Sequence, residues 1–388
     1  MEHEKKYCAS PWRGLHLNFE GNVKTCCAAH PTVLGSYDDN NKLEQDNRSI
    51  DQILQSNEMK EVRASIKQGI LHPKYCENCI NNENAGFGSE RSWHNNISPD
   101  FDCATAELDD HKPALMDIRW NNTCNLACTY CSPYFSTKWA SIKGEPFNRT
   151  INTQYESIIK YIEKHQDTVK EVALVGGEPL MMKENDRLLD ILPDDVLITV
   201  ITNMTTDFDR MPVPQKLLKR SRVGWSMSFD NVYDRFEYVR WGSSWELFDK
   251  NVRTVVERTK NSGQHCGIQA VYTIYNCTRL CELKEYAMQN NNLNICWQHV
   301  WGNQIDPQQH NEKVRKLAIE ELIRYRDNFI LRPMEIDFVS QQLDKLQNDT
   351  GDRKEDFHKF TDDVENKWHP DQKGQFKKLW PELVDALW

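Results

Sequence analysis

Seven of the 13 cysteines in this 388-residue chain fall into two spaced groups, and thiols at such spacing do metal or redox chemistry. The first group is Cys124-Asn-Leu-Ala-Cys128-Thr-Tyr-Cys131. Three thiolates within eight residues face one point only if the backbone loops around it. Thiolates suit an iron–sulfur cluster or zinc. Three ligands hold a [4Fe–4S] cluster with one iron left open to a small molecule. A structural zinc site wants a fourth donor, and no His lies between positions 112 and 164. The second group, Cys8, Cys26, Cys76 and Cys79, leaves 17, 49 and two residues between successive members. That spacing leans to zinc and leaves an iron–sulfur cluster open. Cys27 is an alternative to Cys26. Cys103, Cys266, Cys277, Cys281 and Cys296 have no metal spacing, and free cysteine is often core. Cys277 and Cys281 follow an expected strand and are candidate hydrogen-atom donors.

Elements must position these thiols. Residues 1–112 are loop-rich and cysteine-bearing, with one helix expected over 49–68 and a turn-forming linker over 102–113. Glu20-Gly21-Asn22-Val23 reads as a hairpin turn leading into a strand. Over 113–303 short apolar runs alternate with amphipathic ones. Strands are expected over 114–120, 171–175, 196–202, 223–229, 268–274 and 293–300. Helices are expected over 133–142, 153–165, 185–192, 215–220, 245–260 and 279–290. Six strand–helix alternations imply α/β architecture: parallel strands with right-handed crossovers, an open sheet or partial barrel. Ligands then gather at the C-terminal strand ends. Residues 304–388 are charged and helix-patterned, a helical C-terminal cap.

The first cysteine group follows the first of those strands, with Tyr130 before its last cysteine, and resembles the signature of the radical SAM superfamily. Gly176-Gly177-Glu178-Pro179 begins 45 residues beyond Cys131, at the end of the next strand, and is similar to that superfamily's GGEP turn. The resemblance implies a partial (β/α)6 barrel, a [4Fe–4S] cluster on Cys124, Cys128 and Cys131, and S-adenosylmethionine bound through Gly176, Gly177, Glu178 and Pro179. Glycines there allow close backbone approach. Further implied contacts are Ser228 beside Asp230, Arg240 with the methionine carboxylate, and Asn203 with the ribose. Met204 stands where many relatives have Gly, which departs from the pattern. Cys8, Cys26, Cys76 and Cys79 resemble the auxiliary-cluster domain called twitch, a shortened SPASM, here N-terminal to the core. That likeness runs through Ser89 and Arg91 to the closing Trp380-Pro381-Glu382-Leu383 and implies a second [4Fe–4S] cluster. The implied domains are 1–112 auxiliary, 113–303 radical SAM core and 304–388 cap.

The resemblance implies reductive cleavage of S-adenosylmethionine to a 5′-deoxyadenosyl radical that takes hydrogen from a substrate. A small or sugar-like molecule, oxidised with help from the auxiliary cluster, is the first expectation. A peptide or natural product, epimerised or cross-linked, is the alternative. A flavodoxin or ferredoxin is the implied electron donor. Trp297, His299 and Tyr272 are generic barrel-mouth candidates. A zinc-stabilised binding protein and a bare electron carrier are the competing classes. With 58 acidic against 48 basic residues and a net charge of −10, general nucleic-acid binding is not expected. No apolar run approaches the ~20 residues of a membrane span. An odd cysteine count without a secretory pattern at the first residues fits a reducing cytoplasm.

Overall fold

The computed structural model describes residues 5–19, 23–29, 49–84, 88–146, 155–300, 303–348 and 351–388. It divides into two compact units. The first comprises Met1–Thr123, Phe147–Val200 and Pro212–Val223; the second comprises Cys124–Pro146, Ile201–Met211 and Gly224–Trp388.

Strands of the first unit are β1 (Gly14–Leu17), β2 (Val23–Lys24), β3 (Leu115–Ile118), β4 (Glu171–Leu174) and the first four residues of β5 (Leu197–Thr202). β1 and β2 pair antiparallel, His16 opposite Lys24. The expected hairpin is therefore present, though residues 20–22 of its turn lie outside the described residues. β1 also pairs parallel with β3, Gly14 opposite Leu115 and Leu17 opposite Ile118. The N-terminal cysteine-bearing segment thus supplies a strand to the sheet. β3–β4 and β4–β5 are parallel as well. Period-two alternation splits the residues by face. One face carries Leu15, Leu17, Met116, Ile118, Val172, Leu174, Ile198 and Val200. The other carries His16, Asp117, Glu171 and Thr199.

The second unit holds β6 (Val223–Ser228) from Gly224 on, β7 (His265–Tyr272) and β8 (Asn294–His299), all parallel. Helices Trp245–Lys260 and Leu280–Gln289 make the crossovers, each burying an apolar stripe. From Glu312 on, every regular element among the described residues is helical. The closing Trp380-Pro381 motif has a physical reason. Trp380 is fully buried and packs on Phe376, Tyr275 and Tyr238, and its indole N–H donates to the Tyr275 carbonyl at 2.7 Å. Lys284 bonds both oxygens of fully buried Glu335 at 2.8 and 2.9 Å, tying a crossover helix to the C-terminal helices.

The architecture is α/β, mostly parallel strands alternating with helices, as the spacing implies. All six expected strands are present, shifted by a few residues; β7, for example, starts three residues early. The helix expected over 49–68 is two, Ile50–Leu54 and Asn57–Lys67. Ser56 takes extended backbone and its hydroxyl accepts from Met59 N–H, so it starts a new helix. The helix expected over 133–142 begins only at Thr137, where Ser136 caps it. That expected over 153–165 is Tyr155–His165, with 153–154 outside the described residues. No helix among the described residues is long and apolar enough to cross a membrane.

Arg63, fully buried, organises the N-terminal segment without a carboxylate ion pair among the described residues. Its guanidinium donates to the carbonyls of Pro11, Leu54 and Leu108 at 2.7 to 2.9 Å. Burial pulls its pKa down to about 10. Arg63→Leu should cost about 3 kcal/mol, because three buried carbonyls lose their donor at once. Urea denaturation measures this, and an unchanged midpoint would refute the role.

Candidate metal and cofactor sites

In the second unit the segment 124–131 has little regular structure, so its shape depends on outside anchors. Cys124 N–H donates to Thr137 Oγ1 at 3.1 Å, and Ser136 Oγ to the Leu126 carbonyl at 2.6 Å. Trp139 Nε1 donates to the Cys128 carbonyl at 2.8 Å. Ala127 and Thr129 N–H groups donate to Trp241 and Val239 carbonyls at 2.9 and 2.8 Å. These bonds curl the loop and bring the three thiols within electrostatic reach of one another. Cys128 is buried; Cys124 and Cys131 are half-buried. Burial pushes the Cys128 and Cys131 thiols well up, against the nearby Arg240 charge. Thiols so placed ionise when a metal supplies positive charge.

Beside this loop is a buried charge group. Tyr130 OH donates to Asp230 Oδ2 at 2.5 Å, and Arg240 Nη2 donates to the same oxygen at 3.0 Å. Val271 N–H reaches Asp230 Oδ1 at 2.7 Å. Burial alone would lower the Arg240 pKa, but Asp230 and the Tyr130 side raise it. Arg240 Nε is buried with no hydrogen-bond partner among the described residues, a donor to spare for an anion. Asn203 Nδ2 lies 3.8 Å from Cys124 Sγ and 3.0 Å from Asn125 Oδ1, so it buttresses the cysteine loop. Met204 adopts φ 59°, the left-handed region that favours glycine, and Thr202 and Asn251 hold it there. Ser228 ends β6 on the half-buried face shared with Ser226 and Gln269. Cys277 and Cys281 are buried, and Cys277 donates to the Ile274 carbonyl. Trp297 and Tyr272 are core, packed on Phe338. His299 pairs with Gln342 and is pulled down to about 4 by burial.

In the first unit, Gly176-Gly177-Glu178-Pro179 follows β4. Gly176 has φ 127°, and a Cβ on Gly177 would sit 2.3 Å from the Thr123 carbonyl. Both glycines are therefore required by backbone approach. Glu178 N–H donates to the Thr123 carbonyl at 2.7 Å. The Glu178 carboxylate is fully buried and caps the following turn at Leu180 N–H.

The second cysteine group also gathers. Cys8 lies within electrostatic reach of Cys76 and Cys79, and Cys26 within reach of Cys8. Backbone N–H groups of Ser10, Ala28 and Arg91 bond Cys8, Cys26 and Cys79. Burial pushes Cys76 up to about 11. Ser89 and Arg91, together with Lys6, bind the Glu83 carboxylate at 2.7 to 2.8 Å. Burial would raise that carboxyl, but these three partners outweigh it and hold it at about 2. Cys27 is half-buried and bonds Glu90, with Arg119 close by. Cys103 sits beside Cys8, which no spacing signalled. Among the described residues no three His, Cys, Asp or Glu side chains converge at single-ion distance.

The radical SAM superfamily model matches residues 118–272, and that of an SPASM iron–sulfur cluster-binding domain matches residues 8–80. A 7-carboxy-7-deazaguanine synthase of Clostridium acetobutylicum is 40% identical over 77 residues, 20% of this chain and 31% of that enzyme. Among solved structures, native anSMEcpe with bound AdoMet is similar at TM-score 0.40 and 15% identity, over 54% of this chain and 59% of that one. Streptococcus suis SuiB bound to precursor peptide SuiA is similar at TM-score 0.40 and 18% identity, over 56% and 47%. The match thus spans about a third of the curated relative and roughly half of the solved chains. A radical SAM domain implies a [4Fe–4S] cluster and S-adenosylmethionine, and SPASM implies further iron–sulfur. The chain therefore carries a radical SAM domain over residues 118–272 and, N-terminal to it, an SPASM-like domain over residues 8–80.

Proposed function

We propose that this radical SAM enzyme holds one [4Fe–4S] cluster on Cys124, Cys128 and Cys131 and a second on Cys8, Cys26, Cys76 and Cys79. Three gathered thiols in a pinned loop, beside an arginine with a spare buried donor, carry the reading. Bound there, the cluster and S-adenosylmethionine supply a 5′-deoxyadenosyl radical that takes a hydrogen atom from a substrate. The protein's part is binding, orientation and exclusion of water. Asp230 fixes the Arg240 plane, leaving Nε for the methionine carboxylate. Asn203 steadies Cys124 and its loop. Tyr130, Ser228 and the Gly176-Gly177-Glu178-Pro179 turn keep the cofactor contacts their motifs assign. Cys26 is taken as the fourth auxiliary ligand rather than Cys27 because it is buried beside Cys8, whereas Cys27, half-buried, bonds both Cys26 and Glu90. An auxiliary cluster with four thiolates serves electron transfer rather than substrate ligation.

Nothing in the site favours a small or sugar-like substrate over a peptide or natural product, and SuiB is a precursor-peptide complex. The peptide or natural product is therefore tried first and the sugar-like molecule second. Transfer of deuterium from a labelled substrate into 5′-deoxyadenosine decides between them.

Anaerobic reconstitution should give about eight iron and eight sulfide per chain, two cubanes' worth. Replacing Cys124, Cys128 and Cys131 by Ala should halve the iron and abolish dithionite-driven 5′-deoxyadenosine formation. Replacing Cys8, Cys26, Cys76 and Cys79 should also halve it, while Cys27→Ala and Cys103→Ala keep the full complement. Colourless, zinc-loaded protein would defeat the proposal. Arg240→Lys keeps the charge beside Asp230 but loses the planar fork. It should weaken S-adenosylmethionine binding by about tenfold, read by equilibrium dialysis.

A further inference from the structure

The four carbonyls that end a helix have no partner within it. In the helix Tyr233–Val239, which ends at Arg240, they are shared among three parts of the chain. The Phe236 carbonyl accepts from Arg240 N–H at 2.8 Å, and that of Val239 accepts from Thr129 N–H in the cysteine loop at 2.8 Å. The two between, Glu237 and Tyr238, both accept from Gln372 Nε2, at 3.1 and 3.3 Å. Gln372 is buried and stands 135 and 134 residues further along the chain than these partners. It caps from outside the helix that delivers Arg240.

The same stretch of chain grips residues on both sides of Arg240. A π-helical turn, Val364–Trp368, brings in Glu365, which is buried. Glu365 Oε1 accepts from Tyr238 OH at 3.2 Å and from Phe376 N–H at 2.7 Å, and Oε2 accepts from Gly374 N–H at 2.7 Å. One carboxylate thus closes the 365–376 stretch on itself and ties it to Tyr238. Beyond Arg240, Trp241 Nε1 donates to Asp371 Oδ1 at 2.9 Å, and the Trp241 ring lies flat on His369, 4.4 Å between centroids. The guanidinium itself bonds Asp230. Asp230 therefore fixes the head of this side chain, while Glu365, Asp371 and Gln372 fix its root.

We infer that Gln372 is a positioning residue for Arg240: with Glu365 and Asp371 it braces the end of the helix so that Nε stays available to the methionine carboxylate. The inference rests on the function proposed above and names what holds that arginine's aim. A guanidinium recognises a carboxylate through fixed N–H directions. Arg has several rotatable bonds between backbone and fork, so one contact at the head does not set those directions when the root is loose. Displacements of about 1 Å already weaken such sites.

The test is a double-mutant cycle on reconstituted holoenzyme, with S-adenosylmethionine binding read by equilibrium dialysis and iron content by assay. Q372M keeps the length of the side chain and loses the donor to two carbonyls. D371L removes the acceptor of Trp241 Nε1 at an exposed position, where the core is left intact. Kd should rise by about fivefold in Q372M and about threefold in D371L, with iron content as in the wild type. In an R240K background each substitution should change Kd by less than about twofold, because residues that act through one another are not additive. A merely structural role gives the same fold-loss in both backgrounds. Kd unchanged in both single variants, losses that persist beside R240K, or losses that come with missing iron overturn the brace. R240K that binds as tightly as the wild type overturns the proposed role of Arg240 and the brace with it. A weakened R240K beside unchanged Q372M and D371L overturns the brace alone.

Discussion

A thiol shut away from water resists losing its proton, and the core site is built on that resistance. Cys128 is buried and Cys131 half-buried, and both thiols are pushed up by the loss of solvent. Only a strong local cation reverses this balance, and Arg240 supplies just part of one. A metal held there would supply the rest, and its binding energy would be coupled to the shape of the loop. That shape is not intrinsic to 124–131. It is imposed by Thr137, Ser136, Trp139, Val239 and Trp241, five residues spread over more than a hundred positions of sequence. The helix after the loop is thus part of the site, since its N-cap Ser136 and first-turn Thr137 and Trp139 are three of those anchors.

The Tyr130–Asp230–Arg240 group obeys the same logic of burial. An isolated guanidinium this deep would be expensive, and Asp230 makes it tolerable. Asp230 itself is satisfied from three sides, by Tyr130, Arg240 and Val271 N–H. The arginine is therefore held by its own protein at one edge and open at another. A residue bound on all edges would be structural, and one bound on none would be mobile; this one is fixed and still able to donate.

The N-terminal segment is more than a holder of cysteines. β1 pairs in parallel with β3, and its His16 stands in register with Asp117. His16 Nδ1 and Asp117 Oδ2 are 3.0 Å apart, and Arg119 bonds the same carboxylate. Burial would raise Asp117, but His16 and Arg119 hold it below the usual range. Glu171 bonds Thr199 on the same face. These polar residues share one side of the sheet, opposite a row of Leu, Ile, Val and Met. In the sequence that alternation spans four short strands separated by long insertions, so no single window displays it.

Local spacing was enough to determine the first cysteine group, the Cys76–Cys79 pair, the glycine turn and six strand–helix alternations. Such features depend on neighbours within a few residues: three thiols on one loop, two glycines at one strand end, apolar side chains at period two or 3.6. Tertiary structure alone decided the rest. It split the helix at Ser56, delayed the helix after Cys131 to Thr137, made Gly14–Leu17 a strand of the sheet and put Cys103 beside Cys8. It also gave Ser89 and Arg91 a common partner in Glu83. The β1–β3 pairing and the approach of Cys103 to Cys8 depend on contacts between residues about a hundred positions apart, whose energy no local pattern encodes, whereas the caps at Ser56 and Ser136 and the Glu83 contacts act over a few residues that apolar periodicity does not read.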